Sequence, residues 1–494
     1  MDLGSNSFHL LVVRNVDGAL HPIDKLKERV RLAAGLDARR RLSKAAEARA
    51  LDCLRLFGQR LADVPAAHVR AVGTNTLRKL ADREVFLAAA EEALGHRIEV
   101  ISGVEEARLV YLGVAHDLAD EGRRLVVDIG GGSTEVIVGE GAEILRADSL
   151  YMGCVEYTAR FFGDGKLSEA NFERAITAAR LELGSVHRAF KRLGWSAAFG
   201  SSGTINAIEA VLGEAKQSDH CITAGGLDWL IAQMCGQKKL RRLALPGLKP
   251  ERAPVFPGGV AILEALFRSL KLERMVASSA ALREGVIHDL LGREAHHDVR
   301  DETVVRMRDR FGADPAHGAQ VGELALRLFE QVADVWKLDR EEGRRLLGWA
   351  ATLHEIGKAV SYTGYHRHGA YLVANGDMPG FSRGEQAMLA AMLLGQRRKL
   401  LPARIRALVG KRIDTALRLT IVLRLATRLS RTRSPNPRPP IGVAIEGAAV
   451  RLTFPADWLA ARPLTRADLE MEAGRVAGAG FLLSWSTSEG ATGA

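Results

Sequence analysis

Apolar residues recur at alternate positions through "FHLLVVRNVDGALHPI", broken in the middle by Asp17-Gly18. That alternation predicts a β-hairpin closed by a tight turn. In "KAAEARALDCLRLFGQRLADV" the apolar spacing changes to three and four, which predicts a helix. "HVRAVGTNTLRKL" then reads as strand, glycine turn and helix, and "HRIEVISGVEEARLVYLGVAHDL" repeats that order. "RRLVVDIGGGSTEVIVGEGAEI" reads as strand, glycine turn and second strand. The plan Asp, any residue, Gly, small polar residues, strand occurs twice, at Asp2 and at Asp128. This weak internal repeat suggests two related α/β halves.

Beyond about residue 300 the texture is helical, as in "VGELALRLFEQVADVW" and "EEGRRLLGWAATLHEIGKAV", with no strand signal until about residue 441. "SPNPRPP" at 434–440 reads as a linker, since proline cannot continue a helix. "IGVAIEGAAVRLTFP" follows as two strands, "TRADLEMEAGRVA" as a helix and "GFLLSW" as a last strand, together a small α/β cap with loose residues after it. The resulting partition is 1–117, 118–298, 299–433 and 434–494.

Composition narrows the picture. The 494 residues, 47% hydrophobic and 26% charged, suffice for several globular domains. No apolar run is read as reaching the ~18–20 residues of a membrane span, and no leader pattern opens the chain. A cytoplasmic location without a membrane partner is the expectation. Cys53, Cys154, Cys221 and Cys235 lack paired spacing, which predicts reduced thiols rather than disulfides or zinc. A formal net charge of +10 favours an anionic partner.

Three glycine and hydroxyl turns carry candidate chemistry: Asp2, Gly4, Ser5, Asn6 and Ser7; Asp128 with Gly130, Gly131, Gly132, Ser133 and Thr134; and Gly200, Ser201, Ser202, Gly203 and Thr204. Glycine lets the backbone approach an oxyanion, where N–H groups and hydroxyls donate. The third turn also opens a helix, whose N-terminus favours anions. One such turn alone is weak evidence, with an ordinary β-turn as the bland reading; two Asp-bearing copies plus a third are harder to dismiss. No GxxxxGK[ST] occurs, and GGGS leads into a strand, so neither a Walker loop nor a dinucleotide fold is indicated. Asp2, Asp128 and Glu135 suit Mg²⁺, directly or through water; fixing their own turns by side-chain hydrogen bonds is the bland alternative. Ser102-Gly103-Val104-Glu105 reads as a capping box that occupies Glu105 with backbone. Glu106 is then the freer carboxylate, either a surface residue or a base that deprotonates water.

Taken in order, "DLGSNSFHLLV", "GTNTLRKL", "ISGVEEARLVYLGV", "VDIGGGSTEV", "FGSSGT" and "ALREGVI" resemble the exopolyphosphatase/guanosine pentaphosphate phosphohydrolase family over roughly residues 1–430. The resemblance implies two actin-like, sugar-kinase-like lobes with the site between them, an HD-like helical domain and a small C-terminal α/β domain. It implies hydrolysis of a terminal phosphate from inorganic polyphosphate or from guanosine pentaphosphate. Glu106 matches the water-activating Glu; Asp128 and Glu135 match the acids associated with Mg²⁺. The first two glycine turns match phosphate loops, and Arg78 and FGSSGT match further cleft positions. Family members also carry a strand's worth of residues before the first turn, where Met1 stands here; either the true start lies upstream or half of a central strand is lacking, and an unsupported loop with reduced activity is expected if Met1 is the native start. A homodimer is the family tendency.

In the helical region His317, His354, Glu355, His366 and His368 sit near HD-type ligand positions, but Glu355 replaces an Asp and Thr427 another, so a degenerate scaffold is expected. Between residues 391 and 434 twelve Lys or Arg face one acid, Asp414. Arg397, Arg398, Lys399, Arg404, Arg406, Lys411 and Arg412 would form a track for a polyphosphate chain; a solvated helix face is the alternative. Few aromatic residues there argue against single-stranded nucleic acid. The first reading is a processive, Mg²⁺-dependent exopolyphosphatase. Guanosine pentaphosphate phosphohydrolase is second, and a non-catalytic polyphosphate or alarmone sensor third.

Overall fold

The structure is a computed structural model that describes residues 1–16, 19–117, 122–218, 221–294, 298–433, 439–455 and 458–488. The Asp17-Gly18 turn, residues 434–438 of the proline segment and the tail 489–494 lie outside the described residues. The chain forms two compact units, Met1–Asp298 and Val299–Ala494.

The first unit contains two sheets. Strands β1 (Asp2–Leu3), β2 (Phe8–Val16), β3 (Ala19–Glu28), β4 (Ala71–Gly73) and β5 (Ile98–Val100) lie in the order β3-β2-β1-β4-β5. Strands β6 (Arg123–Ile129), β7 (Thr134–Glu140), β8 (Glu143–Leu150), β9 (Ala197–Ser201), β10 (Ile222–Thr223) and β11 (Arg274–Ala277) lie in the order β10-β11-β9-β6-β7-β8. The repeat read in the sequence is thus a repeat of structure: β1–β2 and β6–β7 are antiparallel pairs hinged on the two Asp-bearing turns.

The first turn is not the unsupported loop that the sequence led us to expect. Two residues of β1 suffice because β2 and β4 pair with it on either side. The Met1 ammonium is buried and donates to the Arg70 carbonyl at 2.6 Å, while the Met1 carbonyl accepts from Val72 N–H. Burial lowers that ammonium's pKa to about 6. Further on, Asn6 and Ser5 carbonyls accept from Arg31 and Ala33 N–H groups, and Thr76 Oγ1 donates to Ser5 Oγ at 2.8 Å.

The helix Phe256–Leu270 is apolar almost all round and fills the core of the second lobe. With the preceding turn it gives an 18-residue stretch, Ala253–Leu270, long and apolar enough to cross a membrane by length and composition, which corrects the sequence reading; 78% of it is buried within the protein. The helix Leu282–Glu294 returns to pack on Gly103–Asp117. Gly285 is required at that crossing, since a β-carbon there would lie 1.7 Å from the Leu109 carbonyl oxygen. All four cysteines are free thiols.

The second unit stacks helices from Val299–Arg310 to Ile413–Leu429 and closes with β12 (Gly442–Glu446), β13 (Ala449–Pro455), the helix Pro463–Ala477 and β14 (Leu482–Ser488). Helices and cap share one hydrophobic core, in which Val450, Leu452, Phe454 and Leu469 pack with helical residues. Arg424 is fully buried there, paired with the equally buried Glu472 of the cap helix and donating to the Gly395 and Arg398 carbonyls.

Candidate active site

Geometry at the two Asp turns follows directly from strand pairing. Asp128 ends β6 opposite Glu135 on β7, and Asp2 lies opposite His9 in the same register seven residues on. Residues directly opposite on adjacent strands share a face, so Asp128 and Glu135 project together. Each turn closes with an equivalent bond, Gly4 N–H to the Ser7 carbonyl at 3.2 Å and Gly130 N–H to the Ser133 carbonyl at 2.9 Å. The turns meet: a β-carbon on Gly131 would lie 3.1 Å from Ser5 Cβ, and one on Gly132 would lie 2.9 Å from Asn75 Oδ1. Asn75 Nδ2 donates to the Gly132 carbonyl at 3.3 Å. Carbonyls of Gly130 and Gly131 are taken by the N–H groups of Cys154 and Val155.

Glu106 stands in the first turn of the helix Gly103–Asp117, just beyond β5. It is 9% exposed, and Arg78 Nη1 donates to it at 2.8 Å and to the Ile101 carbonyl at 3.0 Å. Glu105 is engaged by arginines rather than only by its helix end, a correction to the capping-box reading. Ser102 Oγ does accept from Glu105 N–H, but Arg108 grips the carboxylate at 2.8 and 2.9 Å, inside a buried network with Arg70 and Asp289. The adjacent glutamates therefore divide: Glu105 is structural, and Glu106 faces the acids.

Electrostatics identify the cleft. Burial, followed by the charges of Glu106 and Asp2, pushes the Asp128 carboxyl up to about 8. Burial and the Glu106 charge push Asp2 up to about 7. Glu135 is also raised well above the ordinary range by burial, Glu106 and Asp128, although Ser149 Oγ donates to it at 2.8 Å. Buried acids that repel one another need compensating positive charge.

Within the third turn, Ser201 lies in register with Asp128 on β9 and donates to the Ala280 carbonyl at 3.0 Å. Ser202, at φ +123°, caps its own helix by accepting from Thr204 and Ile205 N–H groups at 3.2 Å. The Thr134 hydroxyl is spent on the Met152 carbonyl at 2.6 Å. Gly200 supports the turn by accepting from Ser278 N–H. Two cleft residues escaped sequence reasoning. Arg283, inside "ALREGVI", contacts His9 and lowers the pKa values of Asp2 and Asp128. Arg252 lies over Gly203, where a β-carbon would meet its guanidinium at 1.8 Å. Their distance along the chain from the acids leaves no spacing signal; only the quoted motif pointed to Arg283.

In the second unit, Arg397, Arg398, Lys399 and Arg404 line one cavity of about 610 Å³ with His366 and His368. Arg412 is instead paired with Glu342 at 2.6 Å, and Arg406 and Lys411 lie on the following helix and turn. His317, His354 and Glu355 come together, with ligand atoms within 4.8 Å of one another.

These two lobes, with carboxylates and glycine turns gathered between them, are the architecture of an actin-like phosphoryl-transfer protein. The family model described as Ppx/GppA phosphatase family matches residues 11–294, and that of Ppx/GppA phosphatase, domain III, matches 299–473. A guanosine-5'-triphosphate,3'-diphosphate pyrophosphatase of Aeromonas hydrophila is 43% identical over 477 residues, 96% of either chain. One from Vibrio vulnificus is 43% identical over 485 residues, covering 98% of this chain and 97% of the relative. An exopolyphosphatase structure from Cytophaga hutchinsonii superposes with a TM-score of 0.54 at 26% identity, covering 59% of this chain and 96% of that one. The chain belongs to the Ppx/GppA phosphatase family and is a hydrolase.

Proposed function

We propose that the cleft hydrolyses the terminal 5′-phosphoanhydride of guanosine 5′-triphosphate 3′-diphosphate, releasing phosphate and the 5′-diphosphate. The carrying observation is the buried set Asp2, Asp128 and Glu135 around Glu106, between two glycine turns. Relatives bearing that substrate in their name match this chain at 43% identity over nearly its whole length, which supports the nucleotide over the polymer. Glu106, oriented by Arg78, takes a proton from water as its oxygen bonds to the terminal phosphorus. The bridging P–O bond breaks and its electrons leave on the diphosphate. Arg78 stabilises charge on the transferred group, and N–H groups of the Asp2–Ser7 and Asp128–Thr134 turns hold the phosphoryl oxygens.

The acid set fits Mg²⁺. Its donors are hard oxygens, and their mutual repulsion is what a divalent cation relieves. Asp128 and Glu135 would hold the ion, with substrate oxygens completing its shell. When bound, it supplies charge neutralisation on the phosphates. The helical unit is read as an HD-like scaffold, on the strength of the His317, His354 and Glu355 grouping.

Inorganic polyphosphate is the second reading, favoured by the basic lining around Arg397, Arg398, Lys399 and Arg404. Phosphate release from both substrates, by wild type and by Glu106→Gln, decides. Faster release from the nucleotide, lost in the variant, is expected. Faster release from long polyphosphate would reverse the order, and release from neither would remove the reading.

A further inference from the structure

Arginines and acids from four elements meet inside the first unit. Arg70 stands just before β4, Glu99 on β5, Glu105 and Arg108 on the helix Gly103–Asp117, and Asp289 and Arg293 on the helix Leu282–Glu294. Asp289 is the hub. Its carboxylate accepts from Arg70 Nη1 at 2.5 Å, from Arg293 Nε at 2.8 Å and from Arg108 Nη2. Arg108 in turn holds both Glu105 oxygens, and Arg70 reaches Glu99 at 3.2 Å and Glu105 at 3.7 Å. Glu105 is fully buried, and Arg70 and Asp289 are buried as well. Burial works against an ionised Asp289, but Arg108, Arg70 and Arg293 hold its pKa below the ordinary carboxylate range. Apolar residues of similar volume commonly stabilise a core as well as such a network does. What charged partners add is direction, since each bidentate or branched pairing fixes an angle as well as a distance.

Glu106 is the next residue on the same helix, turned from Glu105 by about 100°. The helix itself therefore couples the face of Glu105 and Arg108 to the face of Glu106. Its distance from the helix Leu282–Glu294 is set where the two cross. A β-carbon on Gly285 would strike the Leu109 carbonyl oxygen, and one on Gly113 would lie 2.4 Å from the Ala281 carbonyl oxygen. Glycine packing of this kind permits close approach but offers no side chain that resists rotation about the helix axis. Asp289 supplies that resistance, because it grips Arg108 from the other side of the crossing. Arg78, bonded to Glu106 at 2.8 Å, orients the tip of the carboxylate. The network orients the helix that bears it.

We propose that Asp289, through Arg108 and Glu105, is a positioning residue for the hydrolysis, setting the angle at which the Glu106 carboxylate meets the attacking water. The network passes no proton and touches no reacting atom. The proposal deepens the reading of Glu106 as the general base and rests on it. Proton transfer needs base and water aligned within hydrogen-bond reach. Misplacing a reacting group by about 1 Å costs about a hundredfold in rate, and loss of the hub should shift Glu106 by a fraction of that.

The test is a double-mutant cycle on the full-length protein. Wild type, Asp289→Asn, Glu106→Gln and the double variant are assayed for phosphate release from guanosine 5′-triphosphate 3′-diphosphate and from polyphosphate, each well below its unfolding midpoint. On the substrate that wild type turns over faster, Asp289→Asn should lower kcat about tenfold and leave KM within about twofold. The double variant should be no slower than Glu106→Gln, because no base remains to be positioned. Arg108→Gln should repeat the loss, and Arg108→Lys, which keeps the charge between the two acids, should recover part of it. Undiminished kcat in Asp289→Asn, or a loss seen only in KM, overturns the proposal. So do additive losses in the cycle, which would assign the effect to folding or to Arg283, carried to His9 by the same helix. Should Asp289→Asn not fold, Arg108→Gln takes its place in the cycle; if neither folds, the network is structural only and the proposal is overturned. A Glu106→Gln protein as fast as wild type removes the base reading itself, whereas a slow Glu106→Gln with additive losses removes only the role of Asp289.

Discussion

The cleft of the first unit gathers acids with little to neutralise them, and the second unit gathers bases, most of them paired with Glu355, Asp468 or Glu472. In the cleft, burial and mutual repulsion raise the carboxyl pKa values to about 7 and 8 at Asp2 and Asp128. Burial and repulsion thus favour the protonated form of these acids, and a bound cation would favour the ionised one. Arginine has no comparable escape, since it stays charged in proteins. The second unit instead relieves its charge with an internal carboxylate, Glu355, and with aromatic faces under Arg397. The lesson is that buried acids can wait in neutral form, whereas these arginines, which stay charged, are left half-buried or exposed, where water, the protein itself or a ligand serves them.

The sharpest way to break the cleft half of this contrast is Glu106→Gln. It should lower phosphate release by about 10²–10⁴-fold, the range of a lost general base, with an unchanged circular dichroism spectrum. Undiminished turnover would deny Glu106 its role. Arg78→Ala, which frees the Glu106 carboxylate, should cost about 10–100-fold in kcat, with partial rescue by lysine. Steady-state assays read that split, and a change confined to KM would make Arg78 a binding residue only.

On the basic side, Arg397→Glu with Arg398→Glu should weaken long polyphosphate about tenfold or more while affecting triphosphate-length chains far less. Equal loss for both lengths would count against a track. The titration of the acids gives a subtler test. Asp128 has its folded-state pKa raised from 3.8 to about 8, so between those values the folded form binds more protons than the unfolded one. Stability of the metal-free protein should therefore fall as pH rises from about 4 to 8. Asp128→Asn should raise Tm at pH 8 by ~2–4 °C, and Mg²⁺ should reverse the fall in the wild type; differential scanning calorimetry reads both. Smallest of all, Ser202→Ala removes a helix cap and should cost about 1 kcal/mol of stability, measured by urea unfolding, with turnover little changed because its side chain serves the helix Gly203–Glu214.

Much of the fold was legible because periodicity is local. The β2–β3 hairpin, the strand–turn–helix of Ala71–Lys79, the twin Asp turns and the helical texture past residue 300 all stand where apolar spacing placed them. Glu105 shows where local reasoning stops. Its capping position and its i,i+3 partner Arg108 were readable, but Arg70 and Asp289, which complete the network around it, come from distant segments that no nearby pattern announces. The first turn shows the opposite error. A two-residue strand looked insufficient by its own length, yet neighbours on both sides supply what it lacks.

By itself, the sequence determined which residues could bring oxyanion donors and carboxylates together: glycine permits the close approach, and an Asp seven residues before its opposite number sets their shared face. Only the tertiary structure decided which charges meet those acids and which do not. Arg252 and Arg283 reach the cleft from far along the chain, and Arg424 binds the cap helix through Glu472 while fixing the Arg398 carbonyl. Contacts of that kind are set by how elements pack, and packing between distant segments leaves no period in the chain to read.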